Sequence, residues 1–207
     1  MKVCLLGIGG HSKVIVEILR LIGYKLQGLY DDNPITHNQE FCGLKVSGPI
    51  DSFESGSGVI AIGDNRIRKN IDNRLTKVNW ETLIHPSAII SADVEIGEGT
   101  VIMAGAIIQP GVKIGKHCII NTGVVVDHDC KINDFVHVSP NATLCGNVTI
   151  GKGSWVGAGA IIIQGIKVGK NAIIGAGSVI IKDIPDNATV VGNPGKIIKI
   201  RSNNYEY

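Results

Sequence analysis

Residues 94–114 read VEIGEGTVIMAGAIIQPGVKI, and within them Ile96, Ile102, Ile108 and Ile114 recur at intervals of six. The interval runs far beyond this stretch. Ile84, Ile90, Ile120, Val126, Ile132, Val138, Leu144, Ile150, Val156, Ile162, Val168, Ile174 and Ile180 complete seventeen consecutive aliphatic hits. If roughly a third of positions were aliphatic, such a run would arise by chance with odds on the order of one in a hundred million. Neither the helical period of 3.6 nor the strand period of 2 accounts for it. A fixed six-residue repeat signals a parallel β-helix.

Two positions before each aliphatic lies a second, smaller set that runs from Ala88, Val94 and Thr100 through Cys118 and Cys130 to Ser178. Alternate residues of a strand share a face, so these also point inward. Each hexapeptide is therefore a short strand and a tight turn, and three of them close one triangular coil that rests on the coil below. Glycine directly after the aliphatic, as at Gly97, Gly115, Gly151, Gly157, Gly169 and Gly175, supplies turn backbone that a side chain would obstruct. No insertion breaks the register, so an active site must use corner residues and whatever domain or subunit lies alongside.

Composition narrows the function classes. The chain has 207 residues, room for one or two domains with a real core. A formal charge of +2, with three Phe and two Trp, argues against a nucleic-acid partner. No apolar run approaches the length of a membrane span, and Met1-Lys2 leads straight into a strand rather than a signal peptide, so a cytoplasmic location is expected. Five cysteines without a CxxC pair support neither a disulfide frame nor a zinc knuckle.

The first 83 residues lack the period of six and form a separate domain, with 84–207 as the second. Val3 to Leu6 is an apolar strand, Gly7-Ile8-Gly9-Gly10-His11 a glycine turn, and Ser12 to Leu21 a helix. A second strand, Leu26 to Tyr30, ends in Asp31-Asp32; a third, Val59 to Ile62, ends in Gly63 and precedes a helix over Arg66 to Leu75. This is a small Rossmann-like α/β domain with a parallel sheet, and ligands collect at the carboxyl ends of such strands. Gly7-x-Gly9 is followed at the third fingerprint position by Ser12, so the dinucleotide motif is incomplete and a redox cofactor is not expected. Amides at the helix N-terminus still favour a phosphate, and Asp31 or Asp32 can accept from sugar hydroxyls. A plain tight turn is the competing interpretation.

Of six histidines, His37 falls in a polar loop, His85 at the entry to the repeat, and His117 beside Lys116 in a position expected to be solvated. His128 lies two residues after inward Val126 and so projects outward, bracketed by Asp127 and Asp129. A carboxylate beside an imidazole raises its pKa and fixes its tautomer, as a general base requires. A solvated polar corner is the alternative. Eighteen residues on, the same corner carries Gly146, whose missing side chain leaves space and whose N–H can donate to an oxyanion.

Residues 84–200, closing in Val190-Val191-Gly192-Asn193-Pro194-Gly195-Lys196, resemble the left-handed β-helix acyltransferases of the hexapeptide-repeat superfamily. With Gly9-Gly10-His11, Tyr30-Asp31-Asp32, Ala61 to Asn65, Arg68-Lys69 and Asn121-Thr122, nearly the whole chain resembles the bacterial sugar acetyltransferases that act on nucleotide-linked amino sugars in the bacillosamine, perosamine and viosamine pathways, with sialic acid acetyltransferases as relatives. The resemblance implies an acetyl-CoA-dependent enzyme of surface-glycan biosynthesis without a metal. It implies His128 as the catalytic base and Asp129, standing where the family usually has Glu, as the group that raises its basicity, with Asp127 as a possible substitute. It further implies Gly146, His137, Ala158 and Ala176 as acetyl-CoA contacts, and Gly9, Gly10, His11, Asp31, Asp32 and Gly63 as the nucleotide-sugar pocket. The family is a homotrimer of prisms packed about a three-fold axis, with the acetyl donor in the groove between two of them.

Direct transfer follows from holding both substrates together. Two other chemistries use the same prism: O-acetylation of a sialic acid hydroxyl, and a zinc hydratase of the carbonic-anhydrase type with three histidine ligands shared between subunits, for which His117, His128 and His137 are the available set. A non-catalytic assembly role is also open, because fold does not fix function.

Overall fold

The computed structural model describes residues 1–202, so the last five residues of the second domain lie outside the described chain. The N-terminal domain runs β1 (Lys2–Leu6), α1 (Gly10–Leu21), β2 (Lys25–Tyr30), a hairpin of β3 (Glu40–Phe41) and β4 (Leu44–Lys45), β5 (Gly56–Ile60), α2 (Asn65–Arg74) and β6 (Val78–Trp80). The sheet has the order β2-β1-β5-β6 with every pairing parallel. Its fourth strand, β6, is too short and mixed in polarity to stand out in the sequence. In α1, Ile15, Val16, Ile18 and Leu19 are buried, the apolar face that a 3.6 period places against a sheet. Asp64 caps α2, accepting from the amides of Arg66 and Ile67 at 2.9 and 3.1 Å.

The coil begins with β7 (Leu83–Ile84), which pairs with Val101–Ile102, so Leu83 already stands on the solenoid. From β8 (Ile89–Ile90) to β23 (Val179–Ile180) each hexapeptide gives one two-residue strand, and each strand pairs in parallel with the strand one coil away, as Val101 does with Ile119 and Lys113 with Lys131. The result is three parallel sheets, one per prism face. The inward small and large positions form one continuous core from Ile102 to Val190. Ile84, at 37% exposure, and the half-buried Ile90 and Ile96 mark its lower end. At the upper end β24 (Ala188–Val191) continues the first face and β25 (Lys196–Ile200) folds back antiparallel on it.

Two kinds of turn position emerge. Where the residue after the aliphatic is glycine, the reason is steric: a Cβ on Gly97 would lie 2.5 Å from the carbonyl carbon of Gly115 in the next coil. The residue three after the aliphatic has positive φ, and there glycine alternates with Asn, Asp129, His117 and even Phe135. A bulky side chain in this left-handed region costs roughly 1–2 kcal/mol. Phe135 is held by its surroundings: its ring stacks on His117 at 5.3 Å, and its carbonyl accepts from Arg68.

Outward positions distinguish the faces. The first carries Leu83, Val101, Ile119, His137, Trp155 and Ile173, and the lower half of it packs into the core of the N-terminal domain. The second carries Ile89, Ile107, Val125, Thr143, Ile161 and Val179, an apolar column with Ile89 at 66% and Ile161 at 41% exposure. The third carries Glu95, Lys113, Lys131, Thr149 and Lys167.

Arg68 joins the two domains. It is 2% exposed and spends every N–H: Nε donates to the carbonyl of His117 at 3.1 Å, Nη1 to those of Ile62 and Gly63 at 3.1 and 2.9 Å, and Nη2 to Asn65 Oδ1 and the Phe135 carbonyl at 2.8 and 3.3 Å. Burial lowers its pKa to about 10, so it stays charged at neutral pH. Asn65 completes the seam, its Nδ2 donating to the carbonyls of Gly153 and Ser154 at 3.0 Å each.

Candidate active site

His128 stands on the corner between the second and third faces, its side chain 58% exposed. Its Nδ1 lies 2.9 Å from Asp129 Oδ2. Asp127 does not contact the ring and instead accepts the His128 backbone N–H at 2.8 Å. The aspartate partner is therefore Asp129, and the shorter arm suffices because Asp129 occupies the left-handed turn position, φ 59°, which swings its carboxylate back toward its neighbour. The pKa of His128 is raised, first by its hydrogen bond to Asp129 and then by the charge of Asp127. With Nδ1–H given to a carboxylate, Nε2 keeps its lone pair for an incoming proton.

Gly146 sits one coil above. A Cβ there would lie 2.6 Å from both Cε1 and Nε2 of the His128 ring, so only glycine admits the imidazole in this pose. At the same corner, one coil down, Asp127 caps the following amide; Cys145 holds the matching place beside Gly146 and carries no carboxylate to do so. These residues, with Asp127, Asn147, Gln164 and Gly165, line an open cleft of about 510 Å³. Gln164 and Cys145 were not singled out from the sequence, although the eighteen-residue register stacks Gln164 on the column of His128 and Gly146. Ala158 and Ala176 are exposed on another corner, between the first and second faces.

The residues expected to hold the nucleotide sugar gather at the ends of β1, β2 and β5. Ser12 explains the incomplete fingerprint: its buried hydroxyl accepts from the Gly9 amide at 2.8 Å and donates to the Gly7 carbonyl at 2.8 Å, filling the turn from within. Asp31 accepts from the Ile8 amide at 2.6 Å and from Asn33 at 2.8 Å, while Asp32 accepts from the Ile50 amide at 2.8 Å and pairs with Arg74 at 3.3 Å. Both carboxylates thus brace this edge of the sheet, each with lone pairs to spare. Gly9, Gly10 and Gly63 face open space, since a Cβ on any of them meets nothing within 4 Å. Gly10 and His11 open α1, where the first amides have no intrahelical acceptor. His37, expected in a polar loop, donates from Nε2–H to the Asp31 carbonyl at 2.7 Å and so steadies the same strand end.

Three histidines cluster near Arg68. His11 Nε2 is buried without a partner, and burial followed by the charge of Arg68 lowers the pKa to about 4. His137 is buried against Trp155, ring centroids 5.3 Å apart, and burial likewise lowers its pKa to about 4. His117 corrects the sequence expectation of a solvated side chain: it is 1% exposed, stacked on Phe135, edge-on to Trp80 and 3.0 Å from Asp72 Oδ1. Its apolar sandwich outweighs the carboxylate, lowering the pKa to about 4, so the ring is neutral with Nε2–H donated to Asp72. The helical spacing of Asn65, Arg68 and Asp72 on α2 was the available signal for this seam.

These placements remove the three-histidine zinc arrangement. His117 is sealed beneath the N-terminal domain at 1% exposure with Nε2 turned to Asp72, so it is not free to ligate an ion shared with another subunit. They also place the two candidate groups apart: Gly63 borders the first face, whereas His128 projects from the corner opposite that face.

Known proteins share both halves. Residues 2–75 match the family model described as PglD N-terminal domain, and residues 93–128 and 147–182 match bacterial transferase hexapeptide repeats. PerB from Caulobacter crescentus, solved in complex with CoA and GDP-perosamine, superimposes with a TM-score of 0.90 at 36% identity, covering 96% of this chain and 98% of that one. This chain belongs to the hexapeptide-repeat sugar N-acetyltransferase family. Another member, the acetyltransferase domain of PglB from Neisseria gonorrhoeae FA1090 in complex with acetyl coenzyme A, gives a TM-score of 0.87 at 38% identity, over 95% of this chain and 98% of that one. UDP-N-acetylbacillosamine N-acetyltransferase of Bacillus subtilis (strain 168) is 45% identical over 112 residues, 48% of this chain and 50% of that protein. The curated relatives are matched over half of their length or less. The fold expectation of a parallel-sheet α/β domain followed by a hexapeptide β-helix holds in this family member.

Proposed function

We propose that this chain transfers the acetyl group of acetyl-CoA to the amino group of a nucleotide-linked 4-amino-4,6-dideoxy sugar, in the cytoplasm, as a step of bacterial surface-glycan biosynthesis. The observation that carries the chemistry is the exposed His128–Asp129 pair, 2.9 Å apart, set under Gly146 in an open cleft. The related proteins with bound CoA and GDP-perosamine support the substrate class. His128 Nε2 takes a proton from the sugar amine as the nitrogen attacks the thioester carbonyl. The Gly146 N–H steadies the oxyanion, the C–S bond breaks, and the departing thiolate recovers the proton from the imidazolium. Asp129 holds the tautomer throughout.

The working site is shared between copies. A sugar held near Gly63 lies by the first face and cannot reach His128 on the opposite corner of its own prism, so the base comes from a neighbour. The apolar second face, bounded by the Ala158 corner on one side and the His128 corner on the other, is the surface a homotrimer buries. Acetyl-CoA then runs along that seam, with the backbone at Ala158 and Ala176 on one wall and Gly146 of the next subunit on the other.

The test is CoA release from acetyl-CoA with a panel of UDP-, dTDP- and GDP-linked 4-amino sugars beside free sialic acid. One nucleotide sugar is expected to turn over, and His128→Ala to cut its rate about a hundredfold or more while acetyl-CoA still binds. Turnover of sialic acid alone, or near-normal turnover in His128→Ala, overturns the assignment.

A further inference from the structure

We propose that Gly111 is a positioning residue for the catalytic pair, a slot that admits the Asp129 carboxylate against His128; the inference rests on His128 being the base. Gly111 lies one coil below Asp129, and both are left-handed turn residues, with φ of 75° and 59°. A Cβ on Gly111 would lie 2.6 Å from Asp129 Oδ1. The other carboxylate oxygen, Oδ2, is the one 2.9 Å from His128 Nδ1. One coil further down, Asp93 Oδ2 accepts the Gly111 N–H at 2.9 Å and fixes the lower turn. Asp129 is thus confined between the imidazole on one oxygen and the bare Cα of Gly111 on the other.

Packing of this kind is not confined to the site. Gly123 lies beneath Asn141 Oδ1, and a Cβ on Gly153 would lie 2.6 Å from Asn171 Oδ1. Only at Gly111 does the side chain above hold a catalytic ring. The atom that a new Cβ would strike is the end of a short, half-exposed side chain, so the carboxylate turns before the coil opens. Turning it removes the acceptor from Nδ1. The groups that would then set the ring's charge are Asp127 beside it, Asp129 in its displaced position, Cys145 a coil above, and Asp93 below.

The test is turnover against pH for Gly111→Ala, Asp129→Ala, the double variant and Gly123→Ala, each checked for folding by circular dichroism. Gly111→Ala is expected to lose between about tenfold and a hundredfold in kcat, the scale of misplacing a catalytic group by about 1 Å, with the acid limb moved to lower pH. The loss should vanish when Asp129 is already alanine. Gly123→Ala carries the same backbone strain and should keep the wild-type acid limb. Gly111→Asn bears the same Cβ on a residue that tolerates positive φ, and predicts the same shift if the alanine variant folds poorly. A folded Gly111 variant with an unmoved limb, or an equal loss in the Asp129→Ala background, overturns the proposal. Failure of the base assignment is read separately, as retained turnover in His128→Ala.

Discussion

His137 reaches across the seam between the domains and lies with Nδ1 3.3 Å from the carbonyl oxygen of Gly63. The tautomer follows from its neighbour: Asn121 Oδ1 accepts the Thr122 amide, which turns Nδ2 toward His137 Nε2 at 3.1 Å and leaves Nδ1 to carry the proton. Both ring nitrogens are therefore committed within one chain. His137→Ala is expected to raise KM for the nucleotide sugar about tenfold, the worth of one buried hydrogen bond to a binding loop, and to leave acetyl-CoA affinity within twofold. Initial rates with each substrate varied in turn check it; a rise confined to acetyl-CoA would instead assign the ring to the donor.

Gly146→Ala forces the His128 ring out of its pose and crowds the amide beneath the oxyanion. A fall in kcat of about 10²–10³ is expected, the scale of losing one oxyanion donor. Because the contact is with an exposed ring, thermal unfolding should move little. Steady-state kinetics and a melting curve on the same sample make the comparison.

Acid stability should reflect the buried histidines. His11, His117 and His137 each have a folded pKa of about 4 against an ordinary 6.5, so between those values the unfolded chain binds protons that the folded chain refuses. Stability is full above pH 6.5 and declines as pH falls toward 4, by up to about 3 kcal/mol apiece for His117 and His137. Urea titrations from pH 7.5 to 4.5 measure the slope, and His137→Asn should flatten it.

Ile161→Glu places a charge in the apolar column of the second face. On the proposed trimer, sedimentation should show dissociation at micromolar concentration with the secondary structure intact, and turnover should fall with it, the proposed sugar site and base then belonging to separated chains. Activity that survives in a demonstrated monomer would mean that one chain brings both halves together.

The β-helix was legible because its signal is local and repeated: Ile96 and Ile174 obey one rule, and each inward position reinforces the others. The outward projection of His128 and the stacking of Gly146 came from the same count. The aspartate that pairs with the ring did not, since Asp127 and Asp129 differ only in backbone conformation and the left-handed φ of Asp129 decides between them. His117 was misjudged for a different reason. The repeat assigns it to a corner, and corners are solvated until something covers them; the cover is α2, distant in sequence, whose Asp72 and Arg68 meet that corner only in the folded chain.

The manner in which Arg68 bridges the domains bears on how such proteins diversify. In its own domain it grips the carbonyls of Ile62 and Gly63 and the side chain of Asn65, and on the solenoid both of its acceptors, at His117 and Phe135, are backbone carbonyls. Where the joint recognises main-chain geometry it is indifferent to the side chains of the coil, so the N-terminal domain can drift in sequence there without the coil having to change in step. Where Asp72 meets His117 and the first face packs into the N-terminal core, the two domains must instead change together.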